Sequence, residues 1–338
     1  MPRRSSRFGW ILVATAAVVI GLVYLLGSTV RDFRRFEAGQ PNQIGVSFSI
    51  EYAQELGLNW QSTYLALLNS LHVKHLRLMS YWEEIEPSDG HYDFSALDYE
   101  LSQAASHGAD VSLAIGERQP RYPECHLPVW AESLTAPERK TALNGFLTAV
   151  VKRYGSNPAI ASYQLENEAL NGVYAKCPDF SRQELEGEFN LVKRLDPRHP
   201  VIMTASDEFG LPLRQPRGDQ FGLSIYHRVY LPVIHHYFTY PQPAIFEGSR
   251  AALIWRLTGR PVIIHELQAE PWGPVATEKL TIAQQNQTMT ADRLEAEVNY
   301  AKATGIKTYY LWGGEWWYWR LTKFGDPSLW NAAGSVFR

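Results

Sequence analysis

The sequence has 338 residues, of which 45% are hydrophobic, and a formal net charge of −3. This length allows a buried core in one large domain or two small ones, and the balanced charge excludes both a disordered polyelectrolyte and a strongly basic nucleic-acid-binding protein. Two cysteines are too few for a disulfide framework or a four-thiolate zinc site. The positive signal is aromatic: 11 Trp, 18 Tyr and 14 Phe make up 13% of the chain.

The N-terminal region contains an uncharged, apolar segment at residues 10–30. At about 1.5 Å per residue, a helix of this segment is about 30 Å long, which matches the hydrocarbon core of a bilayer. A cleaved signal peptide normally has a shorter apolar run followed by an A-x-A-like site, and no good site follows here, so an uncleaved anchor is favoured. We therefore expect an N-terminal tail at 1–9, a transmembrane anchor at 10–30 and a linker at 31–42.

Arginines flank the apolar segment on both sides, so the positive-inside rule gives little guidance on orientation. A single N-terminal anchor before a large domain most often leaves that domain outside the cytoplasm. We expect a membrane-anchored, periplasmic or extracellular domain, or a secreted one if the segment is cleaved. Without residues 1–40 the chain has 26 basic and 33 acidic residues, which offers no surface for nucleic acid. Cys125 and Cys177 can pair in an oxidising compartment or remain buried thiols, and the sequence leaves both alternatives open.

From residue 43 onward, short apolar runs alternate with amphipathic helical stretches. Several runs are almost continuously apolar, which is typical of strands buried on both faces of a parallel sheet. The eight predicted strands are Ile44–Ser49, Val73–Leu78, Asp110–Ile115, Ile160–Leu165, Val201–Thr204, Phe221–Tyr226, Val262–His265 and Thr308–Trp312.

Helix signals lie between these strands. Thr135 with Pro137 predicts a helix that ends at Gly155, and the capping box beginning at Ser181 predicts a second that ends near Asp196. Asn59 and Ser95 are predicted as the N-caps of two earlier helices, and a further helix is predicted from Thr290 to Ala303 with Gly305 as its C-terminal stop.

Eight β/α units in residues 43–338 predict a (β/α)8 TIM barrel, preceded by the single transmembrane helix. A doubly wound α/β sheet is the alternative, but no G-x-G-x-x-G follows the first strand and eight units are too many for it.

The carboxy-terminal ends of barrel strands are where a TIM barrel places its functional residues. The fourth predicted strand is followed by Glu166, Asn167 and Glu168, and the seventh ends in His265 and Glu266. Two carboxylates that face each other across a barrel can cleave a glycosidic bond, because one protonates the leaving oxygen while the other attacks the anomeric carbon or activates water. Each glutamate alone is more simply explained by solvent exposure or an ion pair, but both together favour a site.

Seven of the eleven tryptophans end or follow a predicted strand. Flat aromatic rings pack on the C–H faces of sugars, so this placement indicates carbohydrate binding, with core packing as the alternative at each position. Trp60 and Trp255 lie within predicted helices and are expected in the core. The seven are Trp82, Trp130, Trp272, Trp312, Trp316, Trp317 and Trp319.

Residues 43–338 resemble the clan A glycoside hydrolases, the retaining (β/α)8 enzymes that include cellulases, mannanases and β-galactosidases. Asn167-Glu168 and Glu266 carry the resemblance, together with residues 75–98, HLRLMSYWEEIEPSDGHYDFSALD. It implies that Glu168 is the acid/base and Glu266 the nucleophile. Many members have Pro after the strand-four Glu, where this chain has Ala169.

The resemblance also implies roles around these two glutamates. Asn167 would contact the sugar 2-hydroxyl, Arg77 would hold Glu266 ionised, Tyr226 would hydrogen-bond Glu266, and Trp312 would floor the subsite of the glycone. Glu315 and Glu117 are candidates to accept substrate hydroxyls, and Glu166 is the second choice as acid. The expected substrate-binding residues are Asn167, Arg77, Tyr226, Trp312, Glu315, Trp272, Trp82 and Trp316.

No metal or cofactor is expected. His227, His235 and His236 form a histidine-rich stretch, but no acid–His spacing typical of a metal site accompanies them. The predicted function is a retaining glycosidase acting on β-linked oligo- or polysaccharides. The alternatives are a transglycosidase on the same scaffold and a catalytically inactive, glycan-binding barrel.

Overall fold

The computed structural model describes residues 4–171, 177, 181–205, 211, 212 and 215–337, with side chains from residue 10 onward. Eight parallel strands close into a barrel in the order β1-β10-β9-β6-β5-β4-β3-β2, and β7 and β8 form a separate antiparallel hairpin. The ten strands of the described chain are β1 (Gln43–Ser47), β2 (His75–Met79), β3 (Asp110–Ile115), β4 (Ile160–Leu165), β5 (Val201–Thr204), β6 (Gln220–Ile225), β7 (Arg228–Leu231), β8 (His236–Thr239), β9 (Val262–Gln268) and β10 (Thr308–Trp312).

Helices surround the barrel and connect its strands. The α-helices found in the described ranges are α1 (Arg4–Ala38), α2 (Ile50–Glu55), α3 (Trp60–Asn69), α4 (Trp82–Ile85), α5 (Ser95–Ser106), α6 (Ala136–Tyr154), α7 (Arg182–Leu195), α8 (Ala244–Thr258), α9 (Ile282–Thr288), α10 (Ala291–Thr304), α11 (Gly314–Phe324) and α12 (Ser328–Val336).

All eight predicted barrel strands are confirmed, four of them with the predicted bounds. They form because their apolar runs are buried on both sides, against side chains in the barrel interior and against the helices outside. In β9 every residue is buried. The last strand pairs with the first, Ser47 beside Trp312, and so closes the sheet. The predicted (β/α)8 architecture is therefore correct.

The predicted helix boundaries are confirmed where caps mark them. Thr135 and Ser181 begin α6 and α7 with capping boxes, and Gly305 ends α10 in the left-handed conformation that glycine tolerates best. The prediction at Ser95 is corrected: Ser95 is the first residue of α5, and its backbone N–H donates to the Asp93 side chain. The helix predicted around Trp255 is confirmed as α8, whereas the β7–β8 hairpin between β6 and α8 was not predicted.

The N-terminal helix α1 continues through much of the expected linker. The structure corrects the linker at 31–42, since residues 31–38 are helical and pack on the barrel domain. Phe33 is buried and, like Phe36, contacts the ring of Trp255 on α8. Glu37 accepts a hydrogen bond from the backbone N–H of Lys307, at the start of β10. The C-terminal part of α1 is therefore held against the barrel by side-chain packing and a hydrogen bond, in addition to its covalent connection to β1.

Residues 10–26 of α1 are exposed to the surroundings of the protein. The segment Trp10–Ala38 has a mean hydropathy of 2.4 in its most apolar part and is the one described helix long and apolar enough to cross a membrane. A signal sequence has the same properties near an N-terminus, so these properties alone do not distinguish an anchor from a cleaved leader.

Candidate active site

A cavity of about 300 Å³ opens at the carboxy-terminal ends of the barrel strands, where a TIM barrel places its active site. Both predicted catalytic glutamates reach it, Glu168 from the end of β4 and Glu266 from β9. Its lining residues are Arg121, Tyr122, Glu124, Asn167, Glu168, Ser224, Ile225, Tyr226, His227, Tyr240, Gln242, Glu247, Glu266, Glu270, Trp272, Tyr300 and Trp312.

The backbone after β4 sends two neighbouring glutamates in different directions. Glu166 and Glu168 have φ angles of 47° and 49°, a left-handed conformation uncommon for residues other than glycine and frequent at functional sites. The Glu166 carboxylate turns under the loop after β3, where it accepts hydrogen bonds from the backbone N–H groups of Glu117 and Arg118 at 2.8 and 2.6 Å. Glu168 turns into the cavity instead. Glu166 is therefore a structural residue and leaves Glu168 as the candidate acid.

The Glu168 carboxyl is buried and held by two side chains. Ser224 Oγ donates to Oε1 at 2.6 Å, and Asn171 Nδ2 donates to Oε2 at 2.9 Å. Burial and the nearby charges of Glu266 and Glu124 raise the pKa of Glu168 to about 8, against the smaller lowering effect of its two donors. A carboxyl with this pKa keeps its proton at neutral pH and can serve as a general acid.

The Glu266 carboxylate lies in the opposite electrostatic environment. Arg77 Nη1 is 2.9 Å from Oε1, and the Tyr226 hydroxyl donates to Oε2 at 2.7 Å. Burial would raise the pKa of Glu266, but the Arg77 guanidinium and the Tyr226 hydroxyl outweigh it, and the pKa lies below its ordinary value. Glu266 is therefore ionised at neutral pH, the state required of a nucleophile.

Arg77 is fully buried and connects both halves of the site. Its Nε donates to Gln164 Oε1 at 2.6 Å, and its Nη2 donates to Asn167 Oδ1 at 3.0 Å. Gln164 Nε2 also donates to the same Asn167 oxygen, at 2.8 Å. This fixed network orients Asn167, which lines the cavity beside Glu168.

Two of the predicted tryptophan contacts, Trp312 and Trp272, line the cavity together with Tyr226. Trp312 lies at the end of β10, and the Arg121 guanidinium stacks 4.1 Å above its ring centroid. Trp272 remains 36% exposed and meets the Tyr226 ring edge to face, at 5.1 Å between centroids. These rings provide apolar surface next to charged groups, the combination that sugar rings require.

Three other predicted substrate contacts are corrected, because these side chains are fully buried and none lines the cavity. Trp82 packs between Phe146 and Trp130 and donates its N–H to Glu86. Trp316 donates to Gln285. Both are core tryptophans.

Glu315, the third, accepts the backbone N–H of Ser49 and lies 3.6 Å from Nη2 of Arg121. Its influence on the cavity is exerted through Arg121. Glu117, another candidate for substrate hydroxyls, is also buried, beside Cys125 and Arg139.

The three histidines of the histidine-rich stretch, His227, His235 and His236, lie in different environments. His227 lines the cavity, and its Nδ1 is 2.5 Å from a carboxylate oxygen of Glu297. His235 and His236 are exposed in and beside the turn of the β7–β8 hairpin. The described residues do not bring the three together as a metal-ligating group.

One arginine that lines the cavity was not predicted from the sequence. Arg121, from the loop after β3, forms a two-pronged ion pair with Glu270 at 2.5 and 3.2 Å. It also stacks 3.6 Å above the ring centroid of Tyr52. Ser224 was not predicted either, although it precedes Tyr226 by two residues in the predicted strand Phe221–Tyr226, a spacing that places both side chains on the same side of a strand.

One known family matches part of this chain. Residues 58–138 match glycoside hydrolase family 42, described as β-galactosidase. The segment includes Arg77 and Arg121. This match confirms the resemblance to glycoside hydrolases that was predicted from the sequence. Comparison with curated protein sequences gives no match.

Solved structures with the same fold include three glycosidases of different specificity. The exo-β-1,4-mannosidase Op5Man5 from Opitutaceae bacterium strain TAV5 is 16% identical, with a TM-score of 0.54 over 80% of this chain and 51% of the mannosidase. Endo-glycoceramidase II from Rhodococcus sp., solved as a lactosyl–enzyme intermediate, is 17% identical, with a TM-score of 0.53 over 80% and 73%. An endo-β-1,4-xylanase from Gloeophyllum trabeum is 15% identical, with a TM-score of 0.58 over 89% and 97%.

These likenesses establish the barrel fold of this chain. The chain spans about half of the length of the mannosidase, and the three named substrates differ from one another. The substrate and mechanism must therefore be argued from the cavity itself.

Proposed function

We propose that the protein is a retaining glycosidase that cleaves β-linked oligo- or polysaccharides by double displacement through a covalent glycosyl–enzyme. The main support for the proposal is that two carboxyl groups lining the same cavity have pKa values shifted in opposite directions. The pKa of Glu168 is raised to about 8 by burial and by neighbouring carboxylates, whereas Arg77 holds the pKa of Glu266 below its ordinary value. Two carboxyls whose environments separate their pKa values in this way can act as acid and nucleophile.

In the first step, a carboxylate oxygen of Glu266 attacks the anomeric carbon as Glu168 gives its proton to the departing glycosidic oxygen. The products of this step are a glycosyl ester of Glu266, a free leaving group and an ionised Glu168. In the second step, Glu168 takes a proton from water while the water oxygen attacks the anomeric carbon. This displaces the Glu266 carboxylate and restores the starting protonation of both groups.

Asn167 is proposed to bind the 2-hydroxyl of the sugar bound next to Glu266. Its amide oxygen already accepts hydrogen bonds from Arg77 and Gln164, so its NH2 group is the part left to donate to substrate. Trp312 is proposed as the floor of that subsite and Trp272 as an outer aromatic surface. The Arg121–Glu270 pair adds a donor and an acceptor for hydroxyl groups beside Trp312.

We also propose that α1 anchors the enzyme in a membrane with the barrel outside the cytoplasm. The apolar residues 10–26 are exposed, while the following turns of the helix pack on α8, as expected of a helix that leaves a bilayer and continues into the domain. Full-length protein should stay with membranes after an alkaline wash. Protease added to intact cells, or to spheroplasts where the cells have an outer membrane, should degrade the barrel. Protection of the barrel in these spheroplasts, or in cells without an outer membrane, would contradict this orientation.

A mechanism-based label tests the chemical proposal directly. Fluorosugars with an activated leaving group, in the gluco, galacto and manno configurations, should form a stable ester that peptide mass spectrometry places on Glu266. The Glu266→Gln variant should remain unlabelled, and Glu166→Gln is the matched control because Glu166 is buried beneath a loop. Labelling at another carboxylate would overturn the assignment of the nucleophile.

The glycan-binding alternative predicts a different result. A barrel that only binds would retain unmodified glycans in affinity measurements but would release no sugar and form no ester with any of the labels. For an active enzyme, the anomeric configuration of the first-formed product, followed by NMR, should be the same as that of the substrate. An inverted product would exclude the double displacement.

A further inference from the structure

Glu51, Glu83 and His126 form a second group of polar side chains at the same end of the barrel. They come from α2, α4 and the loop after β3, three segments that follow three successive strands. His126 Nδ1 is 2.9 Å from an oxygen of Glu83 and 3.6 Å from an oxygen of Glu51. Among the described residues, their potential ligand atoms all lie within 4.8 Å of one another.

We propose that Glu51, Glu83 and His126 form a binding site for a divalent transition-metal cation of the Zn²⁺ type. An imidazole nitrogen and two carboxylate oxygens are a donor set that suits Zn²⁺. At metal–ligand bonds of about 2.1 Å, tetrahedral ligand atoms are about 3.4 Å apart. The separations of 2.9 and 3.6 Å lie on either side of that value. Small side-chain movements would therefore complete the geometry.

The surroundings of His126 are those of a metal ligand. The ring is fully buried and stacks on Tyr81, at 4.1 Å between centroids, which fixes its plane. Its Nε2 is 3.4 Å from the backbone oxygen of Arg121. When Nδ1 binds a metal, Nε2 carries the ring proton and can donate it to that carbonyl, an arrangement common for metal-bound histidines.

Charge favours a divalent cation over a proton at this position. A protonated His126 has one Nδ1–H, for which the carboxylates of Glu51 and Glu83 compete. A divalent ion can bond to both carboxylates and to the imidazole at once, and it balances the two negative charges.

The site is accessible to an ion from solution. The Glu83 side chain is 40% exposed and the Glu51 side chain 20%, whereas the imidazole beneath them is covered. Three protein ligands leave a fourth position for water. A bound cation would tie together the loops that follow β1, β2 and β3. The third of these loops carries Arg121, so the site would brace one wall of the substrate cavity.

The test uses full-length protein in detergent, dialysed against a chelator and then titrated with Zn²⁺. Wild-type protein should bind one equivalent by calorimetry and by elemental analysis, and Zn²⁺ should raise its melting temperature. Co²⁺ should give the visible spectrum of a four- or five-coordinate site. Glu51→Gln and Glu83→Gln should each weaken binding about tenfold or more.

Glu84→Gln is the matched control. Glu84 is an exposed neighbour of Glu83 on α4 but lies outside the group of three, so its loss should leave Zn²⁺ affinity almost unchanged. If all three variants weaken Zn²⁺ binding equally, the ion binds to an acidic surface in general and not to this group, and the proposal is wrong. The absence of binding to wild-type protein would also overturn the proposal. Because binding is measured without substrate, the result is independent of whether the protein cleaves glycans.

Discussion

Arg77 places Nη1 at 2.9 Å from Oε1 of Glu266, and both side chains are buried. The pair converts a carboxyl that burial alone would keep protonated into one whose pKa lies below its ordinary value. Glu266 must be ionised to attack, so activity should be lost at low pH as this carboxylate becomes protonated. Arg77 sets where that acidic limb lies.

Replacing Arg77 by Gln should move the acidic limb of kcat/KM to higher pH. The loss of an adjacent cation raises a carboxyl pKa by about 1–3 units, and activity at neutral pH should fall with it. Arg77→Lys keeps the charge but not the fork that also holds Gln164 and Asn167, so it should shift the limb less while still lowering kcat. The pH profiles are measured alongside melting temperatures. An unmoved limb in a folded Arg77→Gln variant would contradict this role.

The pKa of Glu168 determines the alkaline limb, the decline of kcat/KM at high pH. Glu168 must be protonated to assist the leaving group, and its pKa of about 8 predicts that kcat/KM declines as the pH rises through about 8. Glu168→Ala should lose about 10²–10⁴-fold with sugar leaving groups but much less with activated aryl glycosides, which need little acid assistance. Azide should restore turnover and give a β-glycosyl azide. Equal losses for both kinds of leaving group would argue against the acid role.

Replacing Ser224 should shift the pKa of the Glu168 carboxyl by a smaller amount and in a known direction. The Ser224 hydroxyl donates to Oε1 of Glu168 at 2.6 Å and thereby lowers the pKa of that carboxyl. Ser224→Ala removes the donor, so the pKa of Glu168 and the alkaline limb should both move upward. Ser224→Thr keeps a hydroxyl group at this position and is the control that should retain the wild-type alkaline limb. A downward shift in Ser224→Ala would contradict the assignment.

The barrel and its two glutamates were predictable for a common physical reason. Strands buried on both faces must be almost continuously apolar, and the polar residues that interrupt them, as at Glu168 and Glu266, mark the strand ends where a barrel carries its site. The resemblance to clan A glycosidases then distinguished Asn167-Glu168 from Glu166. Structure supplied the cause, a left-handed turn that points Glu166 and Glu168 in different directions.

Side-chain direction after a strand was not predictable in the same way. Trp82 and Trp316 follow their strands just as Trp272 does, but helices α4 and α11 begin at once and turn both rings into the core. Arg121 lies in an irregular loop, where no periodicity indicates which side chain faces the cavity. The β7–β8 hairpin was not predicted because β7 is mostly half-buried and β8 mostly exposed, so neither strand has the continuous apolar face by which a strand is recognised.

The two cysteines provide a test of the compartment. The nearby Cys177 thiol and burial raise the pKa of the Cys125 thiol, and Cys125 Sγ donates a hydrogen bond to Glu117 Oε1 at 3.4 Å. Protein exported to an oxidising compartment should carry a disulfide between the two cysteines, formed as a thiol oxidase accepts two electrons and two protons. Closing a loop of roughly 50 residues should stabilise the fold by up to about 4 kcal/mol.

Intact mass and thiol labelling check the pairing. Exported protein should be two hydrogen atoms lighter than reduced protein and should not react with maleimide until it is reduced. Cys125→Ser should expose one reactive thiol and lower the melting temperature to that of reduced wild type. Two reactive thiols in exported protein would show that the cysteines remain free.

Gly116, in the turn after β3, lies directly against the Glu166 carboxylate, which leaves no room for a side chain at this position. Its φ is 120°, and a Cβ atom placed there would lie 2.1 Å from Oε1 of Glu166. Gly116→Ala therefore combines backbone strain with a clash against a buried carboxylate that holds the loop of Arg121. We expect a loss of roughly 2–4 kcal/mol in the free energy of unfolding, measured by urea denaturation.

Gly187→Ala is the control. Gly187 lies on the exposed face of α7 with no atom near the added methyl, so this variant should be neutral or stabilising by up to about 1 kcal/mol. Similar stabilities for both variants would show that the Glu166 carboxylate does not need the space above Gly116.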